Sequence, residues 1–285
     1  MKASAFLTAE WRHLAMLNYA VDPSVLKRFV PPGTELDSHR GDTFISMVGF
    51  RFLRTRVFGS AFPFHRNFEE VNLRFYVRRH VAEGWRRGVV FIREMVPRRA
   101  IAFVARTCYG EPYMALPMRH RIDQTSEKIR VEYEWQRQGK WESMRAAAEG
   151  QPEAIENGSL EEFISEHYWG YTARKASCSE YQVEHPRWHV WRAIEATLEA
   201  EVLTLYGDAF VESLSSRPAS AFIADGSPVV VRHACELSER EPNKCAPTVR
   251  DASPLGTGRQ FGRPLPASRC SPTVAPESLV ATKFV

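Results

Sequence analysis

A chain of 285 residues, 44% hydrophobic and 25% charged, can bury a sizeable core, which excludes disorder along its whole length. Its net charge of +4 is scattered in short pairs such as Arg86-Arg87, without a basic stripe or nucleic-acid motif, so no nucleic-acid partner is expected. No run of about 18 apolar residues is present to span a membrane, and five scattered cysteines with no C-x-x-C pair and no secretory pattern point to a cytoplasmic setting.

The predicted elements are mostly strands. Residues 11–21 have the length and apolar content of one. Asp22-Pro23 then reads as an N-cap followed by proline at the first helical position, opening a short helix that Pro31-Pro32-Gly33 ends. Residues 43–57, rich in Phe, Ile and Val, read as a long strand or a bent pair. The most regular strand follows: Val71, Leu73, Phe75 and Val77 alternate with Glu70, Asn72, Arg74 and Tyr76. Successive strand side chains point to opposite faces, so four apolar groups separate from four polar ones. Residues 89–96 form the returning strand.

After Pro97, Ile101, Val104, Ala105 and Cys108 recur at helical spacing. Strands are expected over 114–122 and 129–138, the second alternating Val131, Tyr133 and Trp135 with charged neighbours, and a weaker one from Trp141. Ser159 and Glu162 have capping-box spacing. Residues 181–185 return to strand, 188–198 fit strand or helix, 203–214 suggest a short helix, and 219–231 a last strand. The domain is expected to occupy 1–237. From 238 to 285 Pro, Ser, Arg, Gly and Thr dominate, and such a segment buries too little apolar area to offset its ordering entropy.

Several segments together resemble the YqjF-like family. They are Trp11, Met16, Asn18-Tyr19 and Val21-Asp22-Pro23; Pro32-Gly33-Thr34-Glu35-Leu36-Asp37; His65; and the run from Phe68 to Val77. Later come Gly88-Val89-Val90-Phe91, Tyr109-Gly110-Glu111-Pro112-Tyr113, Glu184-His185-Pro186-Arg187-Trp188, Ala219-Ser220-Ala221-Phe222 and Gly226-Ser227-Pro228-Val229. The resemblance spans roughly residues 11–232 in order. It implies an acetoacetate decarboxylase-like fold: mainly β, a double-layered, partly closed β-barrel around a small cavity, with a few short helices. Family members generally end soon after the last strand, so the tail is a departure from the pattern.

Schiff-base decarboxylation is the less favoured reading of the fold. It needs a neutral lysine amine beside a second cation. Of seven lysines Lys27 lies on the wet face of its helix, and of the other six only Lys175 has a cation next to it, Arg174; where the paired lysines are expected the chain reads Tyr109-Gly110-Glu111-Pro112-Tyr113. The polar face of the regular strand is the better lead. Turned into a cavity, Arg74 would grip a carboxylate with its planar fork, Glu70 would accept a proton if burial raised its pKa, and Asn72 and Tyr76 would add an amide and a phenol. Turned to water, the same face would be a solvated surface continued by Arg78, with Glu70 paired to Arg74.

His65, Glu94, Glu111, Tyr113 and Arg174 are supporting candidates from neighbouring strands and loops. Pro186 breaks any helix that would align His185 and His189, so no metal is expected. No glycine pattern for a nucleotide and no G-x-S-x-G elbow is present, so no cofactor is expected. The expected partner is a small anionic or carbonyl-bearing molecule, bound by an enzyme using acid/base chemistry or by a non-catalytic carrier or sensor. The pattern leaves the oligomeric state open.

Overall fold

The computed structural model describes residues 4–108, 110–174 and 177–238. The expected tail beyond residue 238, Tyr109 and Lys175 lie outside the described residues. Sixteen strands and five short α-helices make up the described chain. The strands are β1 (Ala5–Val21), β2 (Glu35–Leu36), β3 (Thr43–Val57), β4 (Phe68–Val81), β5 (Gly84–Val96), β6 (Tyr113–Ala115), β7 (Met118–Gln124) and β8 (Lys128–Arg137). They continue as β9 (Lys140–Glu149), β10 (Glu153–Ala154), β11 (Trp169–Ala173), β12 (Ser177–Glu184), β13 (His189–Arg192), β14 (Glu195–Glu199), β15 (Ser220–Arg232) and β16 (Cys235–Ser238). The helices are α1 (Pro23–Leu26), α2 (Arg99–Cys108), α3 (Leu160–Ser165), α4 (Val202–Tyr206) and α5 (Val211–Ser215).

Twelve strands share one sheet, and its pairings close on themselves: β15 bonds β1, then β3, β4, β5, β11 and β12 follow, and β12 returns to β15. The sheet is therefore ring-like. The other four strands form a second sheet in the order β14-β9-β8-β7. Two cores result. Inside the ring lie Met16, Val48, Phe50, Phe52, Phe68, Val89, Phe163 and Phe222. Between the ring and the second sheet lie Leu17, Met47, Val71, Leu73, Phe75 and Val77, with Tyr133, Trp135 and Met144 in the same core. The β4 alternation thus sorts its side chains between two buried layers, and the apolar set faces the second sheet.

The local signals behave as their chemistry requires. Asp22 caps α1 by accepting from Ser24 N at 2.7 Å, and Ser159 caps α3 by accepting from Glu162 N at 3.1 Å. Three expected elements are subdivided. The strand expected over 114–122 is two strands in different sheets, because Pro117 has no N–H to continue a ladder. The segment 188–198 likewise splits into β13 in the ring and β14 in the second sheet. The helix expected over 203–214 breaks at Gly207, whose φ of 95° leaves the right-handed helical region. Among the described residues no helix is long and apolar enough to cross a membrane.

Candidate functional site

The inward face of β4 supplies Glu70, Asn72, Arg74 and Tyr76. Glu70, Asn72 and Tyr76 are only 3%, 2% and 1% exposed, so this face meets the ring interior and not water. Register carries the polar row sideways: Asn72 on β4 pairs with Glu94 on β5, and Glu94 pairs with Tyr113 on β6. Glu111, just ahead of β6, joins them. Glu70 accepts from Asn72 Nδ2 at 3.0 Å and from Tyr113 Oη at 2.9 Å. Glu111 accepts from Tyr181 Oη on β12 at 2.5 Å. Glu94 Oε2 and Asn72 Oδ1 have no hydrogen-bond partner among the described residues.

Three carboxyl groups buried together cannot all be charged. Burial is the main cause of their shifts, because a carboxylate taken out of water loses its hydration. Burial raises Glu70 to about 7, with the Glu111 charge adding to the rise and the bonds from Asn72 and Tyr113 and the Arg74 charge opposing it. Burial raises Glu111 to about 7 against the bond from Tyr181 and the Arg174 charge. Glu94 stands well above the ordinary carboxylate range, through burial and then the charges of Glu111 and Glu70. Of the three, Glu94 is therefore pushed firmly toward its protonated form, and Glu70 and Glu111 are poised to gain or lose a proton near neutral pH. This is the electrostatic requirement for acid/base work at that pH.

Arg74 lies between Asn72 and Tyr76 on the same face and is half-buried. Its Nη2 donates to the Ile164 carbonyl at 3.2 Å, its Cζ lies 5.7 Å from the Tyr76 ring centre, and its Nε is buried without a partner. Among the described residues no carboxylate pairs with it; the surface alternative of a Glu70–Arg74 pair is not what forms. Arg78, which would have continued a wet face, pairs with Glu35 at 2.7 Å. The Tyr76 hydroxyl is bonded to Ser46 Oγ at 2.6 Å, and Ser46 donates to Asn18 Oδ1 at 2.6 Å. Tyr76 thus serves a network separate from the glutamates.

The remaining candidates divide. Glu94, Glu111 and Tyr113 come into the cluster. Arg174 is exposed, with its guanidinium against Gly110, next to Glu111. His65 is in the β3–β4 loop with Nδ1 2.8 Å from the Pro63 carbonyl, and the structure does not bring it to the cluster. A cavity of about 240 Å³ lies beside Glu111, lined also by Arg28, Val90, Phe91, Tyr171 and Thr172. It occupies the gap where the β5 edge changes partner, from β11 at residues 88–89 to β6 at residues 94–96. Phe91 is the cross-strand neighbour of Arg74, so the gap adjoins the polar row. Among the described residues no group of three or more His, Cys, Asp or Glu is arranged to hold a metal.

Tyr181 escapes any reading of the strand pattern because only the β11–β12 register brings it to Glu111. Its cross-strand partner is Gly170, and a β-carbon there would lie 2.1 Å from the Tyr181 Cζ and 2.5 Å from its Oη. Glycine is what lets the ring lie across β11. Gly170→Ala is accordingly expected to displace the ring, at a cost of about 1–3 kcal/mol in stability as overpacking does. Urea unfolding would measure the cost, and an unchanged midpoint would show that the ring does not lie there.

The ring-like sheet backed by a second sheet, with short helices between strands, is an acetoacetate decarboxylase-like fold. It is similar to the acetoacetate decarboxylase of Legionella pneumophila, with a TM-score of 0.57 and 12% identity over 83% of this chain and 88% of that one. It is also similar to an acetoacetate decarboxylase-like enzyme of Sphingomonas wittichii RW1, with a TM-score of 0.59 and 13% identity over 82% of this chain and 94% of that one. A third likeness is to the enduracididine biosynthesis enzyme MppR, solved in complex with pyruvate, with a TM-score of 0.59 and 13% identity over 85% and 93% of the two chains. The chain belongs to the DUF2071 family, described as an uncharacterized conserved protein, whose model matches residues 8–228. Within the curated proteins it is 28% identical to the uncharacterized protein YqjF of Bacillus subtilis (strain 168) over 199 residues, 68% of this chain and 78% of YqjF.

Proposed function

We propose that the ring interior binds a small carboxylate-bearing carbonyl compound, held by Arg74, and that the Glu70–Glu94–Glu111 cluster moves a proton on it. The observation that carries this reading is the half-satisfied Arg74: a partly buried guanidinium with an unpartnered Nε, on the same strand face as Glu70, whose buried carboxyl lies among those of Glu94 and Glu111. A buried cation is costly unless something pairs with it, and an anionic ligand meets that need. Glu70, close to half-ionised at neutral pH, is suited to take a proton from the carbon next to a carbonyl, and Glu94, biased by burial toward its protonated form, to stabilise charge growing on the carbonyl oxygen. An imine route draws no support from the described lysines, since Lys27, Lys128 and Lys140 are all exposed.

MppR of the same fold was solved with pyruvate, which makes pyruvate a sensible first probe. A ligand at about 100 times its dissociation constant adds about 2.7 kcal/mol of stability. Pyruvate and acetoacetate are expected to raise the melting temperature of the wild type, and Arg74→Met to remove the rise while remaining folded. Proton transfer is expected to appear as exchange of the pyruvate methyl hydrogens for deuterium in heavy water, lost in Glu70→Gln. Binding without exchange would make the protein a carrier or sensor, and a rise that survives Arg74→Met would refute the Arg74 site.

A further inference from the structure

Behind Arg74 the ring holds a second polar station that the strand pattern does not announce. His167, just after α3, has a side chain 1% exposed, and its Nε2 lies 3.2 Å from Asp37 Oδ2. Asp37 follows β2, and it also accepts from Arg87 Nε at 2.7 Å and from Ser38 N at 2.9 Å. Burial alone would raise Asp37. The bonds from His167 and Arg87, with their charges, outweigh it and hold the group down at about 2, so it is a carboxylate at any ordinary pH. A carboxylate only accepts, so the imidazole nitrogen facing it must carry the hydrogen. Burial, then the charges of Arg87 and Arg74, outweigh the Asp37 contribution and hold His167 down at about 4. The ring is therefore neutral, with hydrogen on Nε2 and a lone pair on Nδ1.

That lone pair has no partner among the described residues. The imidazole packs on the Tyr76 ring with centres 4.7 Å apart, and the Arg74 Cζ lies 5.7 Å from the centre of the same ring. Ile164, whose carbonyl holds Arg74 Nη2, is three residues before His167. Two buried atoms thus stand unpartnered around one tyrosine, a donor at Arg74 Nε and an acceptor at His167 Nδ1. Apolar contacts fill neither requirement. An unpaired buried donor or acceptor is expensive, so the pair selects an occupant with the complementary groups.

Resting on the Arg74 reading above, we infer that His167, oriented by Asp37, accepts a hydrogen bond from a ligand hydroxyl, so that among the small acids Arg74 can hold, one with a hydroxyl beside its carboxylate is preferred to its counterpart without it. The anion meets Arg74 and the hydroxyl meets His167. No bond is made or broken by this contact; it is a specificity determinant.

The test pairs acids that differ only by that hydroxyl, lactate against propionate and glycolate against acetate, with affinities measured by calorimetry on the full chain. In the wild type the hydroxy acid is expected to bind about tenfold more tightly, the worth of one good hydrogen bond to a buried acceptor. His167→Gln keeps an amide donor toward Asp37 but has no acceptor at the Nδ1 position. In it the preference should fall to about one while the affinity for propionate is kept. Should that variant not fold, nitrogen-15 spectra of the wild type decide the matter: the Nδ1 resonance should be that of an unprotonated nitrogen, and should move with lactate but not with propionate. Binding of both members without discrimination, a preference that survives His167→Gln, or a protonated Nδ1 overturns this inference alone. Failure of every acid to bind overturns it together with the Arg74 reading.

Discussion

Leu73→Ala is expected to cost about 2–5 kcal/mol of folding stability, the range seen when a buried leucine is truncated in a core that relaxes only partly. Leu73 is 0% exposed and sits mid-strand, paired with Met47 on β3 and Arg93 on β5. Its side chain belongs to the core between the ring and the second sheet, with Tyr133, Trp135 and Met144. Those neighbours are large and sit on paired strands of a separate sheet, so little can move in to fill the space of three lost carbons. The loss should appear as a lower denaturant midpoint with an unchanged slope. Ile194→Ala is the control: Ile194 is 62% exposed between β13 and β14, and its truncation should stay within about 0.5 kcal/mol. A Leu73 effect as small as that of Ile194 would mean that the two β4 faces have been assigned the wrong way round.

How far the sequence discloses the molecule depends on whether a feature is local. Alternation over Glu70–Val77 is a period-two signal, and it correctly separates two faces. It says nothing about what each face meets, because a polar row looks the same whether it lines a closed interior or a wet surface. Only the return of β12 to β15 turns the β4 face inward. Capping is equally local, so Asp22 and Ser159 are found at their posts. Pro117 and Gly207 carry breaking signals inside segments with a continuous apolar pattern, and there the chemistry of the single residue prevails over the run around it.

The site divides along the same line. Glu70, Asn72 and Arg74 are legible because one strand presents all three. Glu94 and Tyr113 follow from pairing across β4, β5 and β6, which the residue types suggest and the register supplies. Tyr181, His167 and Asp37 were out of reach: each comes from a different element, and no spacing links Asp37 to a histidine 130 positions later. The gain in burial is also not visible in a pattern. A glutamate in a strand reads as a surface residue until the element opposite it is known, and here the opposite elements make it an acid that titrates near neutrality.

That titration leads to an unusual dependence of stability on pH. The folded-state values of Glu70 and Glu111 are raised from 4.5 to about 7. Between those limits the folded chain binds more protons than the unfolded one, so their contribution is complete below about pH 4.5 and is lost as pH rises through about 7. His167 and His13 work the other way. Burial first, and neighbouring arginines, lower both to about 4, so between about pH 4 and 6.5 the unfolded chain binds the extra protons and stability gains with rising pH. The Asp37 contribution is present above its unfolded value and is lost only as pH falls through about 2. Glu94, raised in the same sense, adds to the glutamate slope; below about pH 6.5 the histidines offset part of it, and above that the glutamates act alone. Wild-type stability is therefore expected to fall between pH 6.5 and 8, with most carboxylates elsewhere already ionised and silent. Glu70→Gln removes one of the two titrating groups while keeping an amide oxygen for the Tyr113 hydroxyl. Near pH 5 the variant should come close to the wild type, and at pH 8.5 it should be the more stable by roughly 3 kcal/mol, the free-energy equivalent of the rise from 4.5 to about 7. Unfolding curves at the two pH values read this difference directly. Parallel pH profiles for the two proteins would mean that Glu70 is already ionised when folded, and the proton-transfer role proposed for it would fall, since a base that is never protonated in the folded chain cannot return the proton it takes.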